Sequence, residues 1–143
     1  MPKDIYLEPT MESGRAFMMR GLTGSVVMLN LLRFHALADY TGAPHLMPPE
    51  PISGRAAFDR YIAHTLPYLH ESGGELLFVG EGGHFLIGPQ DEHWDMAMLV
   101  RQKSADSFVA FNSNQAYLAG LGHRLAALED SRLLPLLPSP PPP

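Results

Sequence analysis

Arg124 is the residue whose position asks most of its surroundings. In the stretch from Gln115 to Glu129, Tyr117, Leu121, Arg124 and Leu128 recur at three- and four-residue steps, so a helix there places all four on one face. Tyr117, Leu121 and Leu128 mark that face as the inward one. A guanidinium aimed inward must be paired or must line a cavity. Two readings stay open: a salt bridge to Asp130 or Asp95 (or a side chain reaching out to solvent), and a cation that receives a ligand. Asn30 poses a similar question, because it interrupts the apolar run from Val26 to Phe34. A buried amide either ties down a loop backbone or faces a ligand. Arg33 and Arg101 close two apolar runs that neighbour each other if those runs form strands. With Arg124 they would make an anion cradle, since guanidinium forks match carboxylates. Each of them alone also reads as an ordinary solvated strand end.

Such a cradle would stabilise a carboxylate, enolate or phenolate, but arginine cannot carry protons near neutral pH. A proton carrier would have to be a histidine, a tyrosine or a carboxylate such as Asp95. His123 adjoins Arg124 but points roughly 100° away round the helix, so the two do not share a partner. Tyr61 and Tyr117 lie on inward helix stripes and Trp94 opens a strand; all three are core residues first and pocket walls second. His64 and His70 stand six apart, and neither His-x-x-x-His nor His-Glu-x-x-His occurs, so no metal site is expected. No cofactor is expected either. Gly80-Glu81-Gly82-Gly83 lacks the following helix that a phosphate loop needs and reads as a hairpin turn. No Gly-x-Ser-x-Gly elbow is present.

The elements that position these residues follow from periodicity. Val26–Phe34 is apolar on both parities, as in a strand covered on both faces. Ser53 is placed to cap a helix from about Gly54 to Glu71, whose stripe is Phe58, Tyr61, Ile62, Thr65, Leu66 and Leu69; Pro67 should bend or shorten it. Glu75–Val79 is a second strand, with a short extension His84–Ile87 after the glycine turn. Trp94–Gln102 is a third strand, apolar on both parities. Ser104 caps a helix through Phe111, a split follows near Asn112-Ser113-Asn114, and helix resumes from Gln115 to Glu129. Ser131–Leu136 is the last strand. A short helix precedes everything, around Met11 to Arg20.

The resulting order, β-α-β-β-α-β, is the ferredoxin-like pattern of an α+β fold: a four-stranded antiparallel sheet with two helices on one face. The first and third strands are nevertheless apolar on both faces. The surplus face needs cover, and face-to-face pairing of two sheets about a two-fold axis supplies it, making a homodimer. Cover by the N-terminal helix is the competing explanation.

Several segments resemble one family: Met28-Leu29-Asn30-Leu31-Leu32-Arg33-Phe34, Trp94-Asp95, Asn112 to Tyr117, and His123 to Leu133. They resemble the bacterial family known as domain of unknown function 1330, within the dimeric α/β-barrel superfamily, over roughly residues 26–136. The resemblance implies a ferredoxin-like protomer and a sheet-to-sheet dimer, and no activity. Cofactor-free oxygenation or isomerisation is an analogy drawn from the wider superfamily, and fold likeness does not transfer chemistry. The chain departs from the shorter family pattern in its N-terminal extension, a proline-rich loop and a proline tail, any of which could close or reshape a pocket.

Composition narrows the classes. The chain has 143 residues, 10 Lys+Arg, 15 Asp+Glu, a formal net charge of −5 and no cysteine. The arginines are scattered singly, so the basic footprint of a nucleic-acid binder is missing. The absence of cysteine rules out thiolate chemistry and agrees with a reducing compartment. The apolar runs are too short for a membrane span and the start lacks a signal-peptide core, so the expected location is cytoplasmic. Residues 1–25 read as an extension, 26–137 as the ferredoxin-like domain and 138–143 as a polyproline-like tail. The four prolines between Thr41 and Pro51 make a long loop with the length of a lid. Two functions remain: a homodimer holding a small anionic or aromatic ligand between sheet and helices, or a non-catalytic interaction or sensor module with a packed interior. The ligand candidates are Asn30, Arg33, Tyr61, Trp94, Arg101, Tyr117, His123 and Arg124.

Overall fold

A computed structural model describes residues 4–139. Four strands, β1 (Val26–Phe34), β2 (Glu75–His84), β3 (His93–Gln102) and β4 (Leu128–Leu136), form one sheet in the order β2-β3-β1-β4. Every neighbouring pair is antiparallel. Helix α2 (Gly54–Glu71) connects β1 to β2. Three short helices, α3 (Ala105–Asn112), α4 (Gln115–Leu118) and α5 (Leu121–Ala127), connect β3 to β4. This is the ferredoxin-like α+β arrangement. Pro135 lies in β4, an edge strand, where its missing N–H costs no ladder bond.

Caps set the helix starts. Ser53 accepts a hydrogen bond from the Ala56 N–H at 3.0 Å, and Asn114 accepts from those of Ala116 and Tyr117. Helix α2 continues past Pro67 to Glu71, so the proline does not shorten it. Residues of even number in β1 and β3 face the helices, where Leu32, Met96 and Met98 meet Phe58, Leu69 and Phe111 in the main core. A smaller core joins Val26, Met28 and Ala105.

Four expectations need correction. Gly80 to Gly83 is strand, not turn: β2 runs through to His84, and the hairpin bend falls at 85–92, with Leu86 and Ile87 exposed at its tip. Gly82 serves close approach, since a Cβ there would lie 2.2 Å from the Trp94 carbonyl oxygen. The last helix does not reach Glu129. It breaks at Gly120, where a Cβ would sit 2.1 Å from the His64 ring, and it ends at Ala127. Leu128 is already strand, paired with Phe34; its spacing fits a helix stripe, but sheet pairing prevails.

The N-terminal helix α1 (Met11–Met19) does not cover the second sheet face. Phe17 packs edge-on against Phe108, with ring centroids 5.9 Å apart, beside Val26 and Met28, which places α1 on the helix side. The loop 41–51 contributes no lining to the cavity between sheet and helices, so it is not placed as a lid on it. It contains a single 3-10 turn, Pro44–Leu46, and lies against Gly122 through Ala43 and Leu46. Pro138 and Ser139 are neither helix nor strand, and the rest of the expected proline tail, 140–143, lies outside the described residues.

The other sheet face is bare among the described residues. Register places Leu134, Leu29, Leu99 and Phe78 in one row crossing all four strands. Leu134 is 54% and Phe78 56% exposed. Val27, Leu31 and Ala97 flank that row on the same face. No helix among the described residues is long and apolar enough to cross a membrane.

Candidate functional site

A cavity of about 630 Å³ lies between the inner sheet face, α2 and the α3–α5 helices. That volume falls within the range of small-molecule sites. Residues 6–9 and the α1 residues Ser13, Gly14 and Phe17 form one wall. Among the described residues, three hydrogen bonds fasten the N-terminal segment there. Tyr6 N–H donates to Asp130 Oδ1 at 2.9 Å, Ser131 Oγ donates to the Tyr6 carbonyl at 2.5 Å, and Arg124 Nη1 donates to the Leu7 carbonyl at 2.8 Å.

Helix α5 carries Arg124 to the cavity. Among the described residues no carboxylate lies within salt-bridge distance of it, and the Leu7 carbonyl is its hydrogen-bond partner. The expected bridges to Asp130 or Asp95 are not made. Asp130 is taken by Arg33 and Arg132, and Asp95 accepts from the Phe34 N–H. The remaining guanidinium donors suit a carboxylate or phenolate entering the cavity.

Tyr61 from α2 and Tyr117 from α4 meet at the cavity wall with their hydroxyl oxygens 2.8 Å apart. Phe111 packs against Tyr117 at 4.5 Å between ring centroids. Burial, reinforced by the charge and hydrogen bond of Tyr61, pushes the Tyr117 hydroxyl far above the usual tyrosine range, although Arg124 pulls it the other way. Tyr117 therefore works as a phenol that gives or takes a hydrogen bond, not as a base. Asn30 lines the cavity, and its Nδ2 donates to the Met28 carbonyl at 3.2 Å. The tie is to its own strand and not to a loop, and it leaves Oδ1 for another partner.

Asn30, Tyr61, Tyr117 and Arg124 thus share the cavity; Arg33, Trp94, Arg101 and His123 do not line it. The three-arginine cradle is not assembled. Arg101 is on the bare face, bound to Glu75 at 2.9 Å. Arg33 binds Asp130 at 3.0 Å and lies 4.8 Å from the centroid of the Trp94 ring, with the Arg132 guanidinium 5.0 Å from the same centroid. Burial alone would raise the Asp130 carboxyl. The Tyr6 N–H, Arg132 and the Ser131 N–H outweigh it and hold that carboxyl below the ordinary range. His123 does point away from Arg124: its Nδ1 lies 2.8 Å from the Tyr40 hydroxyl, beside the proline loop. Burial, then Arg60, His64 and His45, keeps His123 below the usual histidine pKa.

Two lining residues escaped the sequence reading. Thr65 Oγ1 and Gln102 Oε1 are buried and have no hydrogen-bond partner among the described residues. The signal was present, as a threonine inside the apolar stripe of α2 and a glutamine of inward parity in β3. Among the described residues no group of three or more His, Asp or Glu is placed to hold a metal ion.

No family model matches the chain, and no curated protein matches it. Among solved structures, the RPA0582 protein of unknown function from Rhodopseudomonas palustris is 33% identical, with a TM-score of 0.83 over 96% of this chain and 100% of that one. A methylated form of the RPA0582 protein gives 33% identity and a TM-score of 0.84, over 95% and 96% of the two chains. A dimeric ferredoxin-like protein from Thermobifida fusca is 16% identical, with a TM-score of 0.44 over 80% and 91%. The first match spans too much of this chain to leave out the N-terminal segment that walls the cavity. At that identity over the full length of the Rhodopseudomonas protein, the chain belongs to the same family as RPA0582, a protein of unknown function.

Proposed function

We propose that this protein is a homodimer that binds a small organic anion with an apolar or aromatic body between its sheet and its helices. The observation that carries the reading is Arg124, which lines a cavity of about 630 Å³ with no carboxylate in salt-bridge range among the described residues. An inward guanidinium without a counter-charge is costly, and a ligand carboxylate would offset that cost. The walls suit the body of such a ligand: Phe58, Phe111, Leu66, Leu69 and Met98 supply aromatic and aliphatic surface. A module with a packed interior would lack this space, so the ligand reading is preferred to the interaction-module reading.

Dimerisation is part of the proposal. The row Leu134, Leu29, Leu99 and Phe78 belongs to an apolar sheet face without intramolecular cover among the described residues, and α1, the competing cover, is on the opposite side. A second copy brings a self-matching face about a two-fold axis. The ferredoxin-like order also supports the resemblance to the domain of unknown function 1330 family. Cofactor-independent oxygenation or isomerisation would need a proton carrier at the ligand. The cavity lining offers Glu8 and the tyrosine pair, so binding with electrostatic stabilisation of the anion is the reading we favour over catalysis.

Calorimetric titration with 2-naphthoate tests the binding reading. It predicts one site per protomer and at least about a tenfold loss in Arg124→Gln, the worth of a charge-assisted hydrogen bond. Equal affinity in the variant, or no binding to either protein, would contradict it.

A further inference from the structure

Resting on that binding reading, we infer that the cavity has two polar ends and takes a monocarboxylate whose opposite end bears a neutral hydroxyl group. Arg124 marks the first end, at the Tyr61–Tyr117 pair. The second end is Gln102, and Thr65 stands between the ends, one turn along α2 from Tyr61. Gln102 is 2% and Thr65 7% exposed, both line the cavity, and neither Gln102 Oε1 nor Thr65 Oγ1 has a partner among the described residues. A buried polar atom left unpaired destabilises the fold, and a bound ligand is one way to satisfy it.

The two ends lie far apart. Gln102 pairs with Val26, whereas Ser131, whose Oγ holds Tyr6 next to the Arg124-bound Leu7, pairs with Leu32. Six residues of strand separate these levels, about 20 Å at about 3.3 Å per residue. Helix α2 gives the same ordering. Tyr61, Thr65 and Leu69 follow one another at single turns, and Gly74, beside the Gln102 amide, comes just past its end. From Tyr61 the rise is about 6 Å to Thr65 and about 12 Å to Leu69. The wall between the ends is apolar, with Met28, Met98, Val100, Leu66 and Phe111.

The chemistry of the ends differs. The Arg124 end offers a cation and phenol hydroxyls, which suit a carboxylate. The Gln102 end has an amide that gives and takes hydrogen bonds, with the Thr65 hydroxyl on the way to it, and no cationic side chain among the described residues lines the cavity there. A second carboxylate there would be buried without a counter-charge, whereas an alcohol or phenol could donate to the Gln102 oxygen.

Calorimetry with 6-hydroxy-2-naphthoate, 2-naphthoate and 2-naphthol tests the inference, with 10-hydroxydecanoate and decanoate as the flexible pair. In at least one pair the hydroxy acid should bind about tenfold tighter than its parent acid, the worth of about one satisfied buried hydrogen bond. The double variant Gln102→Leu with Thr65→Val removes two unpaired polar atoms and should fold at least as well; in it the two acids of the pair should bind alike. Hydroxy acids that bind no tighter than their parents, or an advantage that survives in the double variant, would overturn the two-ended site. If the parent acid still binds in an Arg124-dependent way, that result leaves the binding reading standing. If no acid binds at all, both fall.

Discussion

Arg124 Nη1 donates to the carbonyl of Leu7 at 2.8 Å, so a cation lining the cavity also holds the N-terminal segment that walls it. Binding and cover are therefore linked through one side chain. Arg124→Ala should loosen residues 6–9 as well as weaken anion binding, because Leu7 loses its donor. Limited proteolysis should cut the variant near that segment faster than the parent, while Arg124→Lys, which keeps a donor and a charge, should be cut more slowly than Arg124→Ala. Equal cleavage of all three proteins would separate the arginine from the wall.

The Tyr61–Tyr117 hydroxyl pair makes a second prediction. Tyr117→Phe removes one partner and leaves the Tyr61 hydroxyl in a buried site without it. The expected cost is about 1–3 kcal/mol. The double variant Tyr61→Phe with Tyr117→Phe should regain part of that loss, since neither oxygen remains. Denaturant unfolding of the two single variants and the double variant measures the coupling, and strictly additive losses would show that the two hydroxyls do not depend on each other.

The bare sheet face yields a third. Leu29 and Leu134 are directly paired, with Leu134 on the edge strand at one end of the apolar row. Leu134→Glu places a charge where a second copy would sit, and a buried unpaired charge is strongly disfavoured. The parent should sediment as a dimer of 15.7 kDa protomers and the variant as a folded monomer. A parent that sediments as a monomer would remove the dimer from the account.

Asp130 gives a pH dependence. Its folded pKa is lowered, so the stability it contributes is present above the unfolded carboxyl range and is lost as pH falls through the folded value. Thermal melting should therefore shift downward on acidification below about pH 4. Asp130→Asn should be less stable at neutral pH, by about 2–3 kcal/mol, and should show a shallower acid limb. An acid limb of unchanged depth in the variant would assign that limb to other groups. His123 acts in the same direction at higher pH: its folded pKa is also lowered, so stability begins to fall as pH drops below the ordinary histidine value.

Much of the fold is legible in local pattern. Val26–Phe34 and Gly54–Glu71 are found with the expected bounds, because apolar runs and a capping serine are local signals. The glycines of β2 misled the reading, since a glycine needed for close approach to Trp94 looks the same in sequence as a glycine needed for a turn. The site was half legible. Asn30, Tyr61, Tyr117 and Arg124 stand out as polar residues on inward faces, and all line the cavity. Arg33 and Arg101 end strands as expected, but which face each side chain takes, and which carboxylate claims it, depends on register with β2 and β4. Thr65 and Gln102 were passed over because a single uncharged polar residue in an apolar stripe is common, and only the unfilled space beside them gives it meaning.

The most direct measurement is a crystal structure of the protein grown with 2-naphthoate. The account predicts the ring system between sheet and helices, with the carboxylate within hydrogen-bond distance of Arg124 and the tyrosine pair close by. A closed interior with no ligand, or a naphthoate seated only on the outer sheet face, would contradict it.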